Sequence, residues 1–148
     1  MEWIDALRGE VVGIDTAPLI YFIEKHPSHA AKLKPFFAAA EQREFRIVTS
    51  IVTLLEVLVH PLRSGRDDLV REYRDILLRS PVLTALAISE EIAEEAARLR
   101  ASFNVKTPDA LQLATAITAG ATSFLTNDQN LPCPPGISLL LIERLPAV

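Results

Sequence analysis

Four acidic residues, Asp15, Glu56, Asp109 and Asp128, stand where an α/β chain could bring them to one place. Converging carboxylates repel one another unless cations sit among them. An all-oxygen donor set of this kind selects hard divalent ions, Mg²⁺ or Mn²⁺. The chemistry to expect is therefore metal-assisted.

Each acid also has an ordinary structural use. Asp15 could cap the helix that follows it, Asp109 suits the positive end of a helix, and Asp128 suits a turn rich in Asn and Asp. Glu56 could be a solvated helix side chain. It is the set of four, in its order and local context, that carries the functional reading.

The elements that must position them follow from the apolar pattern. Val11–Ile14 is a short β-branched run, apolar on both faces, as in a central parallel strand. Asp15 ends it, and a helix follows with Pro18 near its first turn. Ser28 is expected to cap a second helix reaching about Glu44. Arg46–Thr49 reads as the second strand, with Ser50 as the cap of a third helix. In that helix Ile51, Leu54, Leu55, Leu58 and Val59 form one apolar stripe, and Glu56 lies on its shoulder. His60-Pro61 is expected to stop it. A fourth helix spans about Arg66 to Arg79, a strand spans Pro81–Leu86, and Ser89 caps a fifth helix. Thr107-Pro108-Asp109 predicts a helix start with Thr107 as cap, and Gly120 predicts its end. Ser123–Thr126 and Ile137–Ile142 are the last strands.

Strands alternating with helices imply a parallel sheet covered on both faces. In open sheets of that kind ligands bind beyond the carboxyl ends of the strands. Asp15 lies at the carboxyl end of the first strand and Asp128 just past the fourth. These two meet if the first and fourth strands are neighbours.

Four blocks resemble the PIN domain family, in order and over most of the chain. Ile14-Asp15-Thr16-Ala17-Pro18-Leu19-Ile20-Tyr21 is similar to its opening. Thr49 to Val57, with Glu56, is similar to the second block, and Thr107 to Ala116, with Asp109, to the third. Phe124-Leu125-Thr126-Asn127-Asp128 is similar to the fourth. The length matches small VapC-type toxins. The resemblance implies a doubly wound parallel sheet of about five strands, a single domain over residues 1–148, and a Mg²⁺- or Mn²⁺-dependent endoribonuclease. It implies that Asp15, Glu56, Asp109 and Asp128 are the catalytic and metal-binding acids, with Thr126 as a supporting hydroxyl. It also implies an RNA substrate, a small antitoxin protein as partner, and a homodimer. On that reading Asp15, Asp109 and Asp128 are the closer ligands and Glu56 acts through water or orients the nucleophile. Cleavage would leave 5′-phosphate and 3′-hydroxyl ends.

Composition agrees with this class. The 148 residues are 49% hydrophobic and 23% charged, with a net charge of −4. That excludes coating of nucleic acid by bulk positive charge, but not a nuclease whose local field is set by bound cations. A single cysteine, Cys133, excludes an internal disulfide, and a reducing, cytoplasmic setting is expected. The N-terminus lacks a signal-peptide pattern. The uncharged stretch from Ala110 to Asn127 reads as a buried helix, turn and strand, not a membrane span. The two histidine-containing segments carry no metal spacing, and the Glu90–Glu95 acids read as a solvated helix face.

Two other classes compete. A Mg²⁺-dependent phosphatase of the haloacid-dehalogenase type wants an acid two residues after Asp15, where Ala17 stands. A receiver domain wants a Lys after the last strands, and none follows Lys106. A non-catalytic PIN-like binding or scaffold module is the other alternative.

Overall fold

The structure is a computed structural model and describes residues 1–147. Its core is a five-stranded parallel sheet in the order β3-β2-β1-β4-β5. The strands are β1 (Val11–Ile14), β2 (Arg46–Ser50), β3 (Leu83–Leu86), β4 (Ser123–Thr126) and β5 (Ser138–Leu141). The helices are α1 (Glu2–Asp5), α2 (Thr16–Ile23), α3 (Ala30–Glu41), α4 (Val52–Arg63), α5 (Asp67–Leu78), α6 (Glu90–Ser102) and α7 (Thr107–Thr118). Reversal of strand order at β1 makes the sheet doubly wound, as expected, and β1 pairs directly with β4 (Ile14 opposite Leu125).

The alternation of side chains along each strand divides the core in two. Val12, Ile14, Ile47, Leu83 and Leu125 join Leu19, Leu33, Phe36 and Tyr73 on one face. Phe124 joins Ala110, Leu113, Ala114, Ile92 and Leu99 on the other, beneath α6 and α7. Tyr73 is fully buried, yet its hydroxyl donates to the Glu24 carboxylate at 2.6 Å. Burial and that carboxylate push the phenol well above its usual range. Glu24 is exposed and can be hydrated when the donor is lost. Tyr73→Phe should therefore destabilise by only about 1 kcal/mol in urea denaturation.

Several local expectations need correction. Pro61 does not stop α4, which continues to Arg63. Pro61 lies in the last turn, where it removes one helical N–H donor, and its ring is buried on the same side as Thr53 and Val57. The apolar stripe read for α4 is not its buried face: Leu55 is 67% exposed and Val59 44%, with Leu54 and Leu58 only half-buried. The helix is rolled so that Thr53 points inward to a buried polar network described below. Ser28 does not cap α3. The His26 imidazole Nδ1 instead accepts from the Ser28 and Helix-entry His29 amides, each at 3.1 Å. That helix ends at Glu41, and Arg43 takes a positive φ of 60°. Thr107 is the first residue of α7 and not its cap; its hydroxyl accepts from Arg100 at 2.8 Å. Ser89 does cap α6, accepting from the Ile92 amide at 3.2 Å.

Candidate functional site: an acidic edge of the sheet

The carboxyl edge of the sheet collects the four acids for a topological reason. Helices α2 and α4 begin there because each follows a strand, β1 and β2. Helix α7 precedes β4 and runs back along the sheet, so its first turn lies at the same edge. Three helix N-termini therefore meet the acids, and their positive ends favour negative charge.

Asp15 is the best-defined of the four. One carboxylate oxygen accepts from the Thr16 amide at 2.9 Å and caps α2. The other accepts from the Thr126 hydroxyl at 2.8 Å. The Thr126 oxygen in turn accepts from the Asp128 amide at 3.1 Å. A buried threonine thus ties the Asp15 carboxylate to the backbone of Asp128 across the β1–β4 pairing. The Asp128 side chain accepts from the Asn130 amide at 2.9 Å, so it shapes its own turn as well. Asp109 sits half-buried in the first turn of α7. Glu56 is exposed, but its Oε1 accepts from the Thr16 hydroxyl at 2.8 Å.

The electrostatics mark these acids as one group. Burial raises the Asp15 carboxyl above its ordinary value, Thr126 and the Thr16 amide pull it back, and Glu56 and Asp128 raise it further. Asp109 is raised first by burial, then by Asp15 and Asp128, with Lys106 opposing. They do not make a closed cage. Among the described residues no three Asp, Glu, His or Cys side chains stand close enough together to hold an ion as placed. Asp15 and Asp109 feel the charge of their acidic neighbours without sharing a point with them. A cleft of about 660 Å³ lies elsewhere, between Ile23 and α5.

Beneath the acids lies a polar layer that the local sequence pattern does not single out. Thr16, Thr49, Ser50, Thr53, Gln112 and Thr126 are buried polar residues in the floor of this edge. Gln112 is 2% exposed and contacts four polar groups. A glutamine among Leu111, Leu113 and Ala114, three residues after Asp109, was the signal available. An uncharged polar residue on the inward side of an apolar helix must find partners.

The model of the PIN domain family matches residues 12–133. The chain belongs to the PIN domain family. That stretch holds all four acids of the edge. A search of curated proteins found no match. Among solved structures, VapBC2 from Rickettsia felis, bound to a DNA fragment from its promoter, is similar with a TM-score of 0.69 at 20% identity. The match covers 88% of this chain and 98% of that one. VapC20 from Mycobacterium tuberculosis, described as a Sarcin-Ricin loop cleaving toxin, has a TM-score of 0.65 at 15% identity, covering 82% and 92%. FitAcB from Neisseria gonorrhoeae has a TM-score of 0.60 at 15% identity, covering 91% and 99%. At these identities the shared feature is the PIN fold. Among the described residues no helix is long and apolar enough to cross a membrane.

Proposed function

We propose that this PIN domain is a Mg²⁺- or Mn²⁺-dependent endoribonuclease acting as the toxin of a toxin–antitoxin pair. The observation that carries the reading is the acidic edge itself. Four carboxylates from four segments line the carboxyl end of the sheet, and Thr126 links the Asp15 carboxylate to the backbone amide of Asp128.

The donor set fits a hard divalent cation. Its groups are carboxylate oxygens, and the charge held in Asp15 and Asp109 is costly without a counter-charge. Asp15, Asp109 and Asp128 would hold the ion, with Glu56 acting at longer range. When bound, the ion supplies charge neutralisation for a phosphodiester and lowers the energy of an attacking water. The protein's own part is positional. Thr126 and the Thr16 amide fix the two oxygens of Asp15, and Thr16 restrains Glu56, an exposed side chain that would otherwise sample many rotamers. Preset donors and acceptors of this kind avoid reorganisation during reaction.

The toxin reading rests on the neighbours. They include VapBC2 and a toxin–antitoxin complex from Klebsiella pneumoniae, which support a small antitoxin partner for this chain as well. A homodimer is proposed with it, and a reducing cytoplasmic setting.

Purified protein freed of partner and incubated with labelled total RNA tests the activity. Cleavage is expected in Mg²⁺ or Mn²⁺ and should vanish in EDTA. Intact RNA with the ion still bound would point to another phosphoryl-transfer substrate. Intact RNA with no ion bound would leave a binding or scaffold module.

A further inference from the structure

We infer that Gln112 is a positioning residue for the acidic edge, fixing Glu56 through the Thr16 hydroxyl. This rests on the metal-site reading above and adds a residue to it. Gln112 lies one turn after Asp109 on α7, buried beneath the acids, and its hydrogen bonds go to Thr16, Thr49, Ser50 and Thr53.

The orientation of its amide follows from its neighbours. The Ser50 backbone N–H can only donate, and it lies 3.3 Å from Oε1. The carbonyl end of Gln112 therefore faces β2, and its NH₂ faces the threonines. The two amide hydrogens reach the Thr53 hydroxyl at 2.6 Å and the Thr16 hydroxyl at 3.3 Å. A hydroxyl has one proton to give. Thr16, accepting from Gln112, gives its proton to Glu56 Oε1 at 2.8 Å. Thr53, accepting likewise, has its proton free for Thr49 at 2.9 Å. Thr49 then donates to the Ile14 carbonyl at 2.9 Å.

Two chains of hydrogen bonds thus leave one amide. One ends on the Glu56 carboxylate and the other on the peptide carbonyl directly before Asp15. Because Gln112 shares α7 with Asp109, it sets three acids on three elements against one another from below. Reversing the amide would set its NH₂ against the Ser50 N–H, so the direction of donation is built in.

The test is a double-mutant cycle on Mn²⁺ affinity, measured by calorimetry on the full chain. It uses Gln112→Met, which keeps length and removes both amide functions, with Glu56→Gln and the double variant. Groups that orient metal ligands typically change affinity by about 10- to 100-fold. Gln112→Met should weaken Mn²⁺ binding about tenfold in the wild-type background. It should change it less than about twofold when Glu56 is already Gln. Equal losses in both backgrounds, or no loss in either, would overturn the positioning role. Should Gln112→Met fail to fold, Thr16→Val breaks the same link while keeping shape and its amide bond to Asp15, and it must give the same coupled pattern. Wild-type RNA cleavage run alongside separates the failures. Wild type that binds Mn²⁺ and cuts RNA, with an uncoupled cycle, overturns only the role of Gln112. Wild type that neither binds Mn²⁺ nor cuts RNA overturns the metal-site reading together with it.

Discussion

Asp15→Asn should reduce RNA cleavage by about two to three orders of magnitude and, in metal-free protein, raise thermal stability. The first effect follows if Asp15 holds the cation, because such an ion contributes several kcal/mol to the barrier and each 1.36 kcal/mol is about tenfold in rate. The second follows from the environment of the carboxylate. Burial is the largest influence on Asp15, and Glu56 and Asp128 add repulsion, while Thr126 and the Thr16 amide only partly offset them. The folded protein therefore binds this proton more tightly than the unfolded chain does. Stability then falls as pH rises from the ordinary value of 3.8 through the raised one, and the deficit persists at neutral pH. Asp109 contributes with the same sign. An amide at position 15 removes the deficit and keeps an acceptor for the Thr16 amide. Melting curves in EDTA, with and without added Mn²⁺, check this. Wild type should gain stability from Mn²⁺, and the variant should start higher and gain little. A variant that melts lower than wild type in EDTA, and still cuts RNA, would remove Asp15 from the proposed site.

Gly13→Ala should be among the most damaging single changes in the chain, although it adds only a methyl group. Gly13 sits in β1, two residues before Asp15, opposite Phe124 in β4. A Cβ there would lie 2.6 Å from the Ala116 Cβ and 2.7 Å from Phe124 Cδ1. Neither neighbour can yield easily, since Ala116 is fixed to the backbone of α7 and Phe124 is fully buried. Relief requires α7 to move off the sheet. Overpacking of a close-packed core costs about 1–3 kcal/mol, and this site belongs near the upper end. Movement of α7 would also carry Asp109 and Gln112 away from Asp15. Urea denaturation should show a loss of about 3 kcal/mol, and Mn²⁺ affinity should fall in the protein that remains folded. A midpoint within experimental error of wild type would mean that α7 packs less rigidly against β1 than these distances imply.

Much of the architecture was legible in order and type of element. The β-branched run Val11–Ile14, the Ser89 cap and Gly120 after α7 act locally, through burial on two faces, a side-chain hydrogen bond and a positive φ of 81°. The acids could be placed at one edge because a parallel sheet puts strand ends, and the first turns of its helices, on the same side. The four-block pattern named the family, and the match over residues 12–133 bears it out.

What the local pattern missed has a common cause. In α4, Leu55 and Val59 lose the interior to Thr53 because a hydroxyl that satisfies Thr49 and Gln112 must be buried with them. Hydrophobic periodicity counts apolar residues and cannot register a polar group whose partners lie on other elements. Pro61 is accommodated for the same kind of reason, since its ring is buried against the fold and the local rule registers only the missing N–H. Gly13 shows nothing in the sequence of the contact that requires it, because Ala116 and Phe124 lie more than a hundred residues away along the chain. Residue types and their order were enough to place Asp15, Asp109 and Asp128 at one edge of the sheet. The roll of α4, the close approach of α7 to β1 and the hub at Gln112 depend on which elements pack together, and those contacts exist only once the chain is folded.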